Sequence, residues 1–215
     1  MHNHAMPNPT RNIPQRGSKF SRWCGRRMLA GRGWTVSGQF PDVPKAVLLG
    51  APHTSNWDGF FALALTLALG LRVQFVTKAS LFRWPVAGFL RWLGFIPIDR
   101  EKASNIVIES IAAFKERDQL WLVMAPEGTR NNAEKIKTGF YRIANGAGVP
   151  VLPCTMDFKR KVIIIGDMML PSGDMQADLA PLMDLWTSHP QCRPERLSTP
   201  MKNWKAGKGS PLPKE

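Results

Sequence analysis

The chain has 215 residues, of which 44% are hydrophobic and 21% are charged. This ordinary globular balance argues against a disordered, collagen-like or coiled-coil protein and predicts a packed domain of enzyme size. The excess of 29 lysines and arginines over 16 acidic residues gives a formal charge of +13, which indicates an anionic partner.

We expect three parts along the chain: a flexible leader at residues 1–18, a single domain at 19–190 and a basic tail at 191–215. Residues 19–34 begin with aromatic side chains among several cations. This pattern predicts an amphipathic basic helix that either contacts a membrane or packs on the domain.

Three of the eight tryptophans directly follow an arginine: Trp23, Trp84 and Trp92. Such pairs favour an anionic membrane surface, where indoles lie at headgroup depth, although a nucleic-acid groove uses the same residue types. Residues 82–95 are therefore a second candidate for membrane contact, with a helix packed on the core as the alternative. The longest apolar run, residues 60–71, is shorter than the roughly 20 residues that span a bilayer. We expect a cytoplasmic protein that is peripheral on the inner face of the membrane and carries no secretory signal.

The three cysteines are far apart and have no Cys-x-x-Cys spacing, so we expect reduced thiols and neither a zinc site nor any other metal site. Two of the four histidines, His2 and His4, lie in the leader, where no fixed further ligands are expected.

Apolar runs of strand length alternate with helix-like segments, which predicts an α/β fold with a central mixed, mainly parallel sheet flanked by helices. Strands are predicted at residues 46–50, 73–76, 95–98, 120–124, 149–156 and 161–166. Helices are predicted at residues 57–69, 103–117, 138–146 and 175–188, the last capped by Asp174.

His53 is the one histidine located where a predicted strand runs into a predicted helix, which is where α/β sheets usually carry their sites. The pair His53 and Asp58 can meet only if the histidine lies in the loop and the aspartate in the first helical turn. Asp58 also completes a Ser-x-x-Asp capping box from Ser55, so a purely structural role is open. A histidine beside a carboxylate is suited to remove a proton from a hydroxyl group.

A second group follows the strand at residues 120–124. Gly128 would let the backbone approach a ligand closely, and Arg130 can hold a phosphate with two hydrogen bonds. Each residue singly is also typical of an ordinary strand-end turn with a solvent-facing arginine.

The ordered combination is more specific. His53-x-x-x-x-Asp58, then Gly94-x-x-x-x-x-Arg100, then Pro126-Glu-Gly-Thr-Arg130 and finally Val149-Pro-Val-Leu-Pro153 closely resemble the four blocks of the glycerolipid acyltransferase family, which includes the lysophosphatidic acid acyltransferases. The resemblance covers about residues 45–160.

This resemblance implies transfer of a fatty acyl group from a thioester on coenzyme A or acyl carrier protein to the hydroxyl of a lysophospholipid such as 1-acylglycerol 3-phosphate. By analogy His53 is the general base and Asp58 orients it, without a cofactor beyond the thioester co-substrate. The sequence does not identify the group that holds the oxyanion; backbone amides near Gly128 and the loop amides after His53 are candidates. The acceptor's phosphate would be bound by the residues Lys78, Arg100, Glu127, Gly128, Thr129, Arg130 and, as a weaker match, Lys137.

The chain departs from the family pattern at Pro52, Ala125 and Asn131, where many relatives have Asn, Phe and Ser. These changes leave the acceptor open. A lyso-ornithine lipid or glycerol phosphate is an alternative acceptor, and a non-enzymatic module that binds nucleic acid or anionic lipid is the alternative from another class. The non-enzymatic alternative explains the positive charge of the chain but not the four ordered sequence blocks.

Overall fold

The computed structural model of the chain describes residues 11–78, 82–98 and 103–210. Its strands are β1 (Thr35–Ser37), β2 (Lys45–Gly50), β3 (Val73–Lys78), β4 (Phe95–Ile98), β5 (Leu120–Met124), β6 (Val151–Asp157) and β7 (Val162–Ile165). Its α-helices are α1 (Lys19–Ala30), α2 (Asn56–Leu69), α3 (Ala87–Trp92), α4 (Ala103–Glu116), α5 (Gly139–Ala147), α6 (Met175–Thr187) and α7 (Thr199–Lys205).

The seven strands form one sheet in the order β1-β7-β6-β2-β5-β3-β4, and only the β6–β7 pair is antiparallel. The predicted mixed, mainly parallel sheet is confirmed. Because β2, β5, β3 and β4 run in the same direction, their carboxyl ends lie at one edge of the sheet.

Alternating side chains of the central strands supply two cores, one on each face of the sheet. Val47 and Leu122 face the layer that contains α5 and α6, whereas Ala46 and Trp121 face the layer that contains α1 and α2. All four side chains are buried. Burial on both faces explains why these strands read as nearly continuous apolar runs.

Helix α1 packs directly on α2 at Gly25. A Cβ atom at this position would lie 2.3 Å from the backbone nitrogen of Ala68 and 2.7 Å from the carbonyl oxygen of Ala64. Glycine is required here because only a residue without a side chain permits this close approach. The opposite side of α1 leaves Phe20 and Trp23 exposed.

Residues 11–16 do not form the loose leader that we expected. Ile13 is buried in the core, the N–H of Arg16 donates to Gly70 O at 2.8 Å, and the N–H of Arg72 donates to Pro14 O at 2.7 Å. One buried isoleucine among prolines and polar residues gives no periodic signal, so these contacts were not visible in the sequence.

The carboxyl-terminal residues also differ from the expected loose tail. Leu197 and Met201 are buried against α6, and the indole N–H of Trp204 donates to Asp184 Oδ1 at 2.8 Å. The basic residues of α7 point outward. Because they dominate the composition of this stretch, the apolar side of the helix was not predicted.

Segment 82–95 exposes most of its aromatic side chains, although Leu93, directly after α3, is buried. Helix α3 contains no buried residue, and the exposed fractions are 92% for Trp84, 58% for Phe89 and 61% for Trp92. No helix among the described residues is long and apolar enough to cross a bilayer.

Candidate active site

Two neighbouring parallel strands bring the two most informative loops together. Leu49 of β2 pairs with Met124 of β5, so the loop at residues 51–55 and the loop at residues 125–130 leave the same edge of the sheet side by side. These segments are at least 70 residues apart in sequence, and only the sheet register makes them neighbours.

Asp58 is the third residue of α2 and forms the capping box with Ser55. Its Oδ2 atom accepts hydrogen bonds from the N–H groups of Thr54 and Ser55, each at 2.7 Å. The same oxygen lies 3.4 Å from Nδ1 of His53. The histidine lies in the loop and the aspartate in the first turn, as the spacing predicted, so the capping role and the contact with the imidazole occur together.

The second ring nitrogen of His53 contacts Arg130. Nε of Arg130 donates to Nε2 of His53 at 2.9 Å. An arginine nitrogen can only donate, so Nε2 must be the acceptor and the neutral ring carries its proton on Nδ1, towards Asp58. This tautomer leaves the basic lone pair on the side of the loop at residues 125–130.

Glu127 holds the backbone of the histidine loop. Its Oε1 atom accepts a hydrogen bond from the N–H of His53 at 2.8 Å, and its side chain is buried. Burial raises the pKa of Glu127 to about 7, with a smaller contribution from the charge of Asp58. Its Oε2 atom is buried without a hydrogen-bond partner among the described residues. A role as phosphate ligand, which the resemblance implied, does not fit this placement, because the side chain is buried and its Oε1 atom is bound to the backbone of His53.

Lys137 lies across Gly128. Gly128 has φ +63°, and a Cβ atom there would lie 2.9 Å from Nζ of Lys137. The N–H of Lys137 donates to Pro126 O at 2.7 Å, which ties the lysine to the loop. The sequence match at Lys137 was weak, yet the fold brings this cation beside Gly128, near the exposed residues Thr129 and Arg130.

Two predicted phosphate ligands are less fully described. Lys78 is the last residue of β3, next to β5 at the same edge of the sheet, but its side chain is outside the described part. Arg100 lies outside the described residues.

Three of the backbone amides suggested for the oxyanion site already donate hydrogen bonds within the protein. The N–H of Gly128 donates to Ala125 O at 3.1 Å, and the N–H groups of Thr54 and Ser55 donate to Asp58. These three amides would have to give up existing bonds to hold an oxyanion.

A carboxyl-terminal segment at residues 193–202 contacts the loop at residues 51–55 and Asn132, just after the loop at residues 125–130, and the sequence interpretation missed it. The N–H of Arg193 donates to Thr54 Oγ1 at 3.3 Å. The N–H of Asn132 donates to Arg196 O at 3.1 Å, and Nζ of Lys202 donates to Asn132 Oδ1 at 2.9 Å. The Ser-Thr-Pro sequence at the start of α7, with Ser198 before the helix and Pro200 in its first turn, is a helix-start signal that could have revealed this segment.

A second histidine–carboxylate pair lies at the end of β6, where His189 Nδ1 is 3.5 Å from Asp157 Oδ2. Asp157 also accepts a hydrogen bond from the N–H of Arg160 at 2.8 Å. This pair resembles the His53–Asp58 contact in geometry but is separate from the loop at residues 125–130, and it therefore offers a matched control.

Comparison with known proteins identifies the family to which the chain belongs. A family model described as Acyltransferase matches residues 35–157, more than half of the chain. The 1-acyl-sn-glycerol-3-phosphate acyltransferase of Haemophilus influenzae is 33% identical over 144 residues, which is 62% of this chain and 58% of that protein. The Escherichia coli protein of the same name is 38% identical over 120 residues, 52% of this chain and 47% of that protein. The chain thus spans about half the length of such relatives.

A lyso-ornithine lipid O-acyltransferase of Pseudomonas aeruginosa is 29% identical over 158 residues, covering 71% of this chain and 58% of that protein. The crystal structure of the 1-acyl-sn-glycerophosphate acyltransferase of Thermotoga maritima shares the fold, with a TM-score of 0.54 at 20% identity over 74% of this chain and 71% of that chain. Since the family model covers most of the sheet and both site loops, the chain belongs to the acyltransferase family.

Proposed function

We propose that the chain transfers a fatty acyl group from an acyl thioester, on coenzyme A or acyl carrier protein, to the hydroxyl of a lysophospholipid such as 1-acylglycerol 3-phosphate. The observation that carries this proposal is the arrangement of His53, with Nδ1 3.4 Å from Asp58 and Nε2 directed at Arg130. A base and a cation that suits phosphate thus lie side by side.

In the proposed reaction, Nε2 of His53 takes the proton of the acceptor hydroxyl while the hydroxyl oxygen attacks the thioester carbonyl carbon. The carbon–sulfur bond then breaks, and the departing sulfur receives the proton from His53. Asp58 stabilises the imidazolium that forms between these steps. The transfer is direct and needs no covalent enzyme intermediate.

The acceptor's phosphate would contact the cations beside the loop at residues 125–130. Arg130 and Lys137 are exposed there, and Gly128 and Thr129 line the same turn. By the family resemblance, Lys78 and Arg100 complete this group. Several cations around one dianion would favour an acceptor that carries phosphate.

We further propose that the protein binds an anionic membrane surface at the inner face of the membrane through α1 and α3. Arg16, three residues before α1, contacts the end of α3: its guanidinium donates to Trp92 O at 2.5 Å and to Leu93 O at 2.6 Å and lies 5.8 Å from the centre of the Trp92 ring. Residues 11–41 and 59–98 contain no acidic residue, whereas the chain as a whole has 16. Exposed indoles beside unopposed cations suit an anionic lipid surface.

The decisive experiment compares His53→Ala with the matched variant His189→Asn. Acyl transfer is measured as ester formation on 1-acylglycerol 3-phosphate with an acyl thioester, and circular dichroism checks the fold. We expect His53→Ala to lose transfer while folded and His189→Asn to keep most of it. A folded His53→Ala variant that still transfers the acyl group would refute the proposed base.

A lyso-ornithine lipid is the second acceptor to test, because the Pseudomonas aeruginosa relative of that name aligns with a larger share of this chain than the Haemophilus influenzae relative does. The same assay with both acceptors at equal concentration decides between them. Turnover of the lyso-ornithine lipid alone would overturn the phosphate assignment but not the role of His53.

A further inference from the structure

The lone pair that the proposed base needs is already occupied. A neutral imidazole has one acceptor nitrogen, and in His53 this nitrogen, Nε2, accepts a hydrogen bond from Nε of Arg130 at 2.9 Å. A hydroxyl group must direct its proton at the same lone pair before His53 can remove it. The contact with Arg130 and general base catalysis therefore exclude one another.

Of the two partners, His53 is the fixed one. Its backbone N–H is held by Glu127 at 2.8 Å, and its Nδ1 lies 3.4 Å from the buried carboxylate of Asp58. Arg130 is exposed, and no carboxylate lies within ion-pair distance of its guanidinium among the residues that the structure describes. When the contact breaks, the arginine moves and the histidine stays.

An anion is the ligand that would move it. A guanidinium binds phosphate with two parallel charge-assisted hydrogen bonds, which are stronger than one bond to a neutral imidazole. Lys137 beside Gly128 offers a second cation close to the loop from which Arg130 projects.

We propose that Arg130 caps His53 until the phosphate of the acceptor draws the guanidinium away and frees Nε2. This inference rests on the proposed acyl transfer. Arg130 then determines specificity through the rate as well as through binding, because an acceptor without an anionic group leaves the base capped. The cap also protects the acyl thioester from water when no acceptor is bound.

The side reaction that the cap prevents is hydrolysis of the acyl thioester. Water would give a proton to Nε2 of His53 while its oxygen forms a bond to the acyl carbon. The carbon–sulfur bond breaks, and the sulfur takes the proton from His53, so that thioester and water become fatty acid and thiol. Without the cap, water can reach the same lone pair that the acceptor hydroxyl uses.

The test measures thiol release from an acyl-coenzyme A without any acceptor. We expect Arg130→Ala to raise this rate about tenfold, the effect of removing one hydrogen bond from the base. Arg130→Ala, His53→Ala together should return it to the level of His53→Ala alone. Lys135→Ala removes an exposed cation from the same loop and should leave hydrolysis as in the unaltered protein.

Each outcome decides the inference. A rise that depends on His53 and is absent from Lys135→Ala supports the cap. Unchanged or slower hydrolysis in Arg130→Ala, or an equal rise in Lys135→Ala, overturns it, and the proposed function stands if the unaltered protein still acylates 1-acylglycerol 3-phosphate. If the unaltered protein acylates no acceptor, the proposed function fails and the cap with it.

A spectroscopic measurement tests the movement itself. In protein labelled with ¹⁵N at histidine, glycerol 3-phosphate should shift the Nε2 resonance of His53 towards that of a nitrogen without a donor. The shift should be absent from Arg130→Ala. An Nε2 resonance unaffected by glycerol 3-phosphate at saturating concentration would contradict the displacement of Arg130.

Discussion

The carboxylate of Glu127 accepts a hydrogen bond from the backbone N–H of His53 at 2.8 Å and thereby joins two loops that are 74 residues apart. The bond fixes the histidine backbone relative to the loop that carries Arg130. Glu127 therefore acts as a positioning residue in this site, and its burial gives that role a signature in the pH dependence of stability.

Glu127→Gln should alter how the free energy of unfolding depends on pH. The pKa of Glu127 is raised to about 7 in the folded chain, so the folded state binds its proton more tightly than the unfolded state does. Its contribution to stability is present below the unfolded pKa and is lost as the pH rises through about 7. Between pH 5 and pH 8, we expect the free energy of unfolding of the unaltered protein to fall by about 2–3 kcal/mol relative to that of the variant. Urea unfolding of both proteins at the two pH values measures this, and parallel pH profiles would contradict it.

Asp58→Asn should separate catalysis from helix capping. The amide oxygen can still accept from the N–H groups of Thr54 and Ser55, so the loss of stability should be about 1 kcal/mol. The negative charge facing Nδ1 of His53 disappears, and we expect kcat to fall by about 10² to 10⁴ with little change in KM. Steady-state kinetics and thermal unfolding test the two parts separately. A kcat within a factor of about two would assign Asp58 to capping alone.

Gly25→Ala should destabilise the protein, because the new methyl group would meet the backbone of α2 at 2.3 Å. We expect a loss of about 1–3 kcal/mol in the free energy of unfolding. Gly59→Ala is the matched control, since a Cβ atom at this helical position meets nothing within 4 Å. It should leave stability unchanged or raise it by about 0.5–1 kcal/mol. Equal effects of the two variants would contradict the close packing of α1 on α2.

The proposed membrane surface predicts that Trp84→Ser combined with Trp92→Ser weakens binding to vesicles that contain phosphatidylglycerol. Loss of two indoles that enter the interface should reduce the partition coefficient at least about tenfold. Ile108→Ser removes an exposed apolar side chain from α4, which packs on the face of the sheet opposite α1, and should leave binding unchanged. Vesicle sedimentation at low and high salt measures the apolar and the electrostatic contributions to binding. Equal binding by the unaltered protein, the double tryptophan variant and Ile108→Ser would refute this surface.

Much of the fold was predictable because its signals are local. The run at Leu120–Met124 is apolar on both faces, and Asp174 caps α6 by accepting from the N–H groups of Gln176 and Ala177, as its position before the helix indicated. Strand β1 was missed because three residues are too few to establish a period.

The approach of His53 to Asp58 was predictable from the sequence, but the other contacts of the candidate site were not. The spacing of His53 and Asp58 within one strand–helix junction fixes their approach, since few residues intervene. The hydrogen bonds that join His53 to Glu127 and Arg130 depend instead on the pairing of β2 with β5. A single sequence does not specify which strands pair. For this reason the buried Glu127 was grouped with the phosphate ligands, although it faces the protein interior.

The segment at residues 193–202 has a consequence for engineering this chain. All four sequence blocks end by residue 153, so a version cut at residue 188 would keep every recognisable motif. It would nevertheless lose the partners of Thr54 and Asn132, and the buried side chains of Leu197 and Met201 would be missing from the core. Chimaeras that exchange acceptor preference between relatives should therefore carry this segment together with the loop at residues 125–135, as one interchangeable unit.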